Sequence, residues 1–94
     1  MAKQFLHIAF KFANGDPKTA TLRPIFNKAI DWFRYAPNCW IVWTSSSADK
    51  WYERLKPHID DEDSMLIVKI DMTERQGWLN KSLWEWMDKH HSEE

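Results

Sequence analysis

The chain has 94 residues, the length of one small domain, and such a domain hides only about 60–65% of the surface its unfolded chain exposes. Its seven tryptophans, within an aromatic content of 15%, must therefore build much of the core, because each aromatic ring removes far more area from water than an aliphatic side chain. A formal net charge of −1 excludes strong nonspecific attraction to nucleic acid through bulk charge, one cysteine excludes an internal disulfide and a Cys-based zinc site, and the absence of a long apolar segment or leader predicts a cytoplasmic protein with no membrane span.

Residues 5–12 alternate, with Leu6, Ile8, Phe10 and Phe12 on one side and Phe5, His7, Ala9 and Lys11 on the other, which predicts a strand with one apolar face. Asn14, Gly15, Asp16 and Pro17 break it, and Asp16 reads as a helix N-cap. Leu22, Ile25, Phe26, Ala29 and Ile30 recur at helical spacing, and Pro24, tolerated in a first turn, sets the helix start near Thr21. A short run over 32–36 meets the turn pair Pro37 and Asn38 and resumes over 39–44, an antiparallel hairpin. Ser45, Ser46 and Ser47 offer N-caps, with Asp49 as the acidic partner of Ser46. Ala48, Trp51, Tyr52 and Leu55 then share one face of a helix that Pro57 ends.

Beyond the acidic loop Asp60, Asp61, Glu62 and Asp63, residues 65–72 alternate again, with Leu66, Val68, Ile70 and Met72 as the expected buried set. Gly77 punctuates, and Leu79, Leu83, Trp86 and Met87 mark a short helix capped by Asn80 or Ser82. The order predicts an α+β, ferredoxin-like split βαβ (βαββαβ) fold, in which an antiparallel sheet carries two helices on one face. It forms a single domain over 1–94, with a C-terminal extension over 72–94 that holds the added helix.

The stretch "WFRYAPNCWIVWTSSSADKWYERLKPHIDDEDSMLIVKI", followed by "GWLNKSLWEWM", resembles the SinR-type branch of small ferredoxin-like proteins, a branch similar to the small integrase-complex subunit of CRISPR adaptation. Trp32, Tyr35, Trp40, Ile41, Val42, Thr44, Leu55, Pro57, Asp63, Leu66, Val68, Ile70, Gly77, Trp78 and Trp86 carry the likeness. The resemblance implies a homodimer formed by opposing sheets, in a prokaryotic or phage defence setting, that binds a protein partner, its own copy or nucleic acid. Some members of the broader family are metal-dependent nucleases with an acidic residue at the end of the first strand. Here "HIAFKFA" places Lys11 at that position, where a cation repels a metal. A non-catalytic role without a cofactor is therefore expected, the alternative being a Mg²⁺-dependent nuclease with Asp16 or the acidic loop as ligands.

Other arrangements have plainer readings. Asp60, Asp61 and Asp63 suit a hard cation by chemistry but lack the alternating spacing and turn glycine of a calcium loop, so Asp63 is expected to tie down the last strand. His90 and His91 point about 100° apart on a helix, poor co-ligands expected to face solvent near the chain end, and His7 and His58 complete the histidines. Two glycines leave no phosphate loop, Cys39 reads as a small apolar group, and the serine triplet reads as caps.

The sheet's second face is the expected interaction surface, with His7, Ala9 and Lys11 from the first strand and Ile67, Lys69 and Asp71 from the last. Trp40 and Trp43 stand three residues apart, so a regular strand points them to opposite faces and both cannot belong to the helix-facing core. A tryptophan beside Lys11, Lys69 and Arg34 suits single-stranded nucleic acid or, preferred at this net charge, a dimer interface. A third option has the terminal helix cover the face with Leu79, Leu83 and Trp86, leaving Trp84 as an exposed anchor.

Overall fold

A computed structural model describes residues 2–92, in which a four-stranded antiparallel sheet carries three helices. Residues 1, 93 and 94, the ends of the expected single domain and of its extension, lie outside the described residues. Strands β1 (Gln4–Lys11), β2 (Asp31–Ala36), β3 (Cys39–Thr44) and β4 (Ser64–Ile70) stand in the order β2-β3-β1-β4, so β2 and β4 are the edges. Helix α1 (Thr19–Phe26) joins β1 to β2, and α2 (Ala48–Leu55), prolonged by one 3-10 turn (Lys56–His58), joins β3 to β4. Helix α3 (Lys81–His91) follows β4. This is a small α+β architecture compatible with a ferredoxin-like fold.

Each sheet face has its own core. On the first, Leu6, Ile8 and Phe10 of β1 and Trp40 and Val42 of β3 meet Leu22 and Phe26 of α1 and Trp51 and Leu55 of α2. Trp40 stacks on Phe26 at 4.0 Å between centroids and 6° between planes, and the Trp51 indole N–H donates to Thr44 Oγ1 at 3.2 Å. On the second face, Phe5, Ile41 and Trp43 pack against Met72 and against Leu83 and Met87 of α3.

The structure corrects several expectations. Pro24 lies inside α1, which begins at Thr19, and the carbonyl that Pro24 leaves without its donor belongs to exposed Ala20, where water can take it. Ile30 lies beyond the helix and is exposed. Asp16 does not cap α1: its Oδ1 accepts the N–H of Lys18, the N-cap residue, which sits at φ 54°. On α2 the cap is Ser47, whose Oγ accepts the Lys50 N–H, while Ser46 donates its N–H to Thr44 Oγ1, and Tyr52 faces outward.

The largest correction concerns β4. Ile67 pairs with Ile8, Met65 with Phe10 and Lys69 with Leu6, so Met65, Ile67 and Lys69 share the helix-facing side with Leu6, Ile8 and Phe10. Leu66, Val68 and Ile70 lie on the second face instead, and of the expected buried set only Met72 is buried. Residues 65–68 are apolar at every position, so alternation does not specify the parity, and the register with β1 decides it.

Candidate functional site

Helix α3 covers only part of the second face. It lies over the end of the sheet where Asp31, Trp43, Phe5 and Ile70 stand side by side in register. Toward the other end, Val68 pairs across β1 with His7 and Leu66 with Ala9, while His7 pairs with Ile41 and Ala9 with Cys39 on the far side. There Leu66 is 60% exposed, Val68 41% and Tyr35 38%. Exposed Lys11 closes the patch beside Ser64.

A polar chain runs through this open half. His7 Nε2 and Tyr35 Oη share a hydrogen bond at 2.6 Å, with ring centroids 5.7 Å apart. Burial, then a hydrogen bond with Cys39 and the charge that sulfur takes on when ionised, push the Tyr35 phenol up to about 12, so it keeps its proton across the working range. Burial holds the His7 imidazole below its ordinary value of 6.5, which favours the neutral ring. A base whose folded-state value is depressed costs the fold nothing above its unfolded value, and the penalty grows as pH falls through 6.5 toward the folded value. The melting temperature of the wild type is accordingly expected to fall between pH 7 and pH 5 more steeply than that of His7→Gln. Equal slopes in thermal melts across that window would contradict a desolvated His7.

The expected binding residues do not assemble on one surface. Lys11 stands on the second face, whereas Arg34, paired with Trp40, and Lys69, paired with Leu6, stand on the first at opposite edges of the sheet. Ile67 moves with Lys69 to the first face, and Asp71 follows the end of β4. Trp40 and Trp43 do point to opposite faces, as the spacing requires, yet each is 0% exposed. Two cores lie back to back across one strand, and neither indole is available to a ligand. Trp84 is half-buried against the second core, with the Arg75 guanidinium 5.9 Å from its ring centroid. The exposed indole is Trp78, at 99%, whose place just past Gly77 in a segment without periodicity was the available signal.

His90 also departs from expectation. It is 4% exposed, stacks on Trp43 at 5.5 Å and meets Trp86 edge-on at 5.1 Å, while its Nε2 lies 2.8 Å from Asp31 Oδ2. Partial burial works to raise the Asp31 carboxyl, but the hydrogen bonds from His90 and the Trp32 N–H outweigh it and hold the group below its ordinary range. The spacing of Leu83, Met87 and His90 puts the histidine on the buried stripe of α3, a pattern readable in the sequence.

Of the candidate metal ligands, Asp60 and Asp63 are engaged by protein donors. Asp63 accepts the Ala13 N–H at 2.9 Å and the Asp60 N–H at 2.9 Å, with Lys18 Nζ at 3.5 Å. These two backbone bonds and the Lys18 charge hold its carboxyl below the ordinary range, and through Ala13 it ties the entry of β4 to the exit of β1. Lys18 Nζ also reaches Asp60 at 3.6 Å and the His58 carbonyl at 3.1 Å. Among the described residues no group of three or more His, Cys, Asp or Glu side chains is arranged to hold a metal ion, and no helix is long and apolar enough to cross a membrane.

Compared with protein-family models, with curated proteins and with solved structures, the chain matches none of them.

Proposed function

We propose that the chain is a non-catalytic assembly module of the ferredoxin-like class that pairs with a second copy of itself through the half of the sheet face that α3 leaves open. The observation that carries this reading is the contiguous patch of Leu66, Val68, Ala9 and Tyr35, apolar and accessible on a surface whose other half is already buried under α3. The patch has no carboxylate and a single marginal cation, Lys11, so it offers a charged partner little to select. A two-fold axis through it lets the same surface serve both copies. The strand order β2-β3-β1-β4 with α1 and α2 on one face supports the class.

A non-catalytic role is supported by Lys11 at the end of β1 and by the backbone hydrogen bonds that engage Asp16 and Asp63. The likeness to the SinR-type branch supports a setting in a prokaryotic or phage defence system as part of this reading.

Sedimentation equilibrium from low to high micromolar concentration tests the proposal. The wild type is expected to shift from monomer to dimer, and the double variant Leu66→Glu with Val68→Lys to stay monomeric with stability within about 0.5–1 kcal/mol of the wild type, since both positions are exposed. A wild type that stays monomeric at every concentration, or a variant that dimerises as well, sinks the reading.

A further inference from the structure

We propose that the margin between α1 and the edge strand β2 is a binding site for single-stranded nucleic acid, with Arg23 and Arg34 taking phosphates and Trp32 offering a base its ring. This surface is separate from the Leu66 and Val68 patch and does not depend on self-association.

Three open grooves follow one another along this margin. The first, about 430 Å³, runs along α1 past Arg23 and Asn27, the second, about 300 Å³, lies between Arg23, Trp32 and Arg34, and the third, about 250 Å³, continues from Arg34 to the turn at Pro37. Arg23 borders the first two and Arg34 the last two, so each arginine is shared by neighbouring grooves.

Both guanidiniums have unspent donors. Arg23 lies 5.8 Å from the Trp32 ring centroid and Arg34 lies 5.5 Å from that of Trp40, and Arg34 commits Nε to the Pro37 carbonyl at 3.1 Å. Among the described residues neither has a carboxylate at ion-pair distance, whereas Lys18, Arg75 and Lys81 do. A guanidinium fork matches a phosphate in two-point geometry, and its weak hydration makes the exchange from water inexpensive.

Charge along the chain points the same way. Over residues 17–49 the cations are Lys18, Arg23, Lys28 and Arg34, and the acids are Asp31, on the other face against His90, and Asp49, on the first turn of α2. The net charge of −1 therefore conceals a basic margin that the acidic loop at 60–63 balances elsewhere. Composition favours nucleic acid over an acidic peptide: an aromatic ring and two guanidiniums border one groove, the pairing found where bases stack and phosphates pair alternately. Trp32 is already oriented, its Nε1–H donating to Asn27 Oδ1 at 2.9 Å, so little rotamer freedom is lost on stacking.

Fluorescence anisotropy with a labelled oligothymidylate of about 12 nucleotides, at about 50 mM and about 200 mM salt, tests the proposal. The wild type is expected to bind, and Arg23→Ala with Arg34→Ala to weaken binding at least tenfold and reduce the salt slope by about 1.4, which is 0.7 for each lost phosphate contact on a single strand. Arg23→Glu alone, at an exposed position, is expected to weaken binding with an unchanged melting temperature, while Lys50→Glu on α2 leaves it intact. Absence of wild-type binding at the lower salt, unchanged affinity in both arginine variants, or displacement of the oligonucleotide by polyglutamate as readily as by unlabelled oligonucleotide would overturn the assignment.

Discussion

Replacing either tryptophan of β3 with alanine is expected to cost about 3–5 kcal/mol, with the two losses arising in different cores. Trp40→Ala empties the site where the indole stacks on Phe26 and contacts Trp32 at 5.1 Å, under α1 and α2. Trp43→Ala empties the site between Phe5, 4.7 Å away, and His90, under α3. Both indole N–H groups are buried and lack a hydrogen-bond partner among the described residues, so part of each ring's burial is offset by an unmet donor. Trp40→Phe and Trp43→Phe are therefore expected to cost clearly less than the alanine variants, since phenylalanine keeps most of the apolar area and removes the stranded donor. Urea denaturation reads this as a lower midpoint at unchanged slope. A cost below about 1 kcal/mol for Trp43→Ala would mean that α3 does not pack on the sheet in solution, because an uncovered surface tryptophan has little to lose.

The same pair shows what the sequence alone could establish and where it stopped. Opposed directions for Trp40 and Trp43 follow from the two-residue period of a strand, and the structure places them so. What covers the second face stayed open in the sequence between a dimer, a ligand and the terminal helix, and the structure puts α3 there over the Trp43 end, with Leu83, Leu79 and Trp86 in that core. The hairpin turn at Pro37 and Asn38 was legible because its chemistry is local. The parity of β4 was not, because Met65, Leu66, Ile67 and Val68 satisfy either alternation and only the pairing of Ile67 with Ile8 selects one. That inversion moved Leu66 and Val68 from the expected core to the open patch and took Lys69 away from Lys11. His90 was misplaced for another reason: polarity and nearness to the chain end argued for solvent, while its place seven residues after Leu83 and three after Met87 on the α3 stripe, opposite Asp31, decided for burial. Arg23 could not have been joined to Arg34 from sequence spacing, since the margin they share exists only once α1 packs beside β2.

Leu83→Asp is expected to unfold the whole domain in one transition, not to release α3 from an intact remainder. Leu83 is 1% exposed, so the substitution removes its apolar burial and presses a carboxylate against Phe5, Trp43 and Met87. The cost, about 4 kcal/mol or more, is a large share of the roughly 5–15 kcal/mol that holds a domain together. Cooperativity follows from the strands themselves. Phe5 alternates with Leu6 on β1, and Ile41 and Trp43 alternate with Trp40 and Val42 on β3, so the backbone that presents the second core is the backbone that presents the first. Asp31 binds the two further, since His90 on α3 holds the residue at the start of β2, next in the chain to Trp32 of the first core. Far-ultraviolet circular dichroism and tryptophan fluorescence should give coincident denaturant curves in the wild type, and both should shift together in Leu83→Asp. Curves that separate in the variant, with amide protection of β1 and α2 retained after α3 has lost its own, would show instead that the first core stands alone and that α3 is a detachable cover.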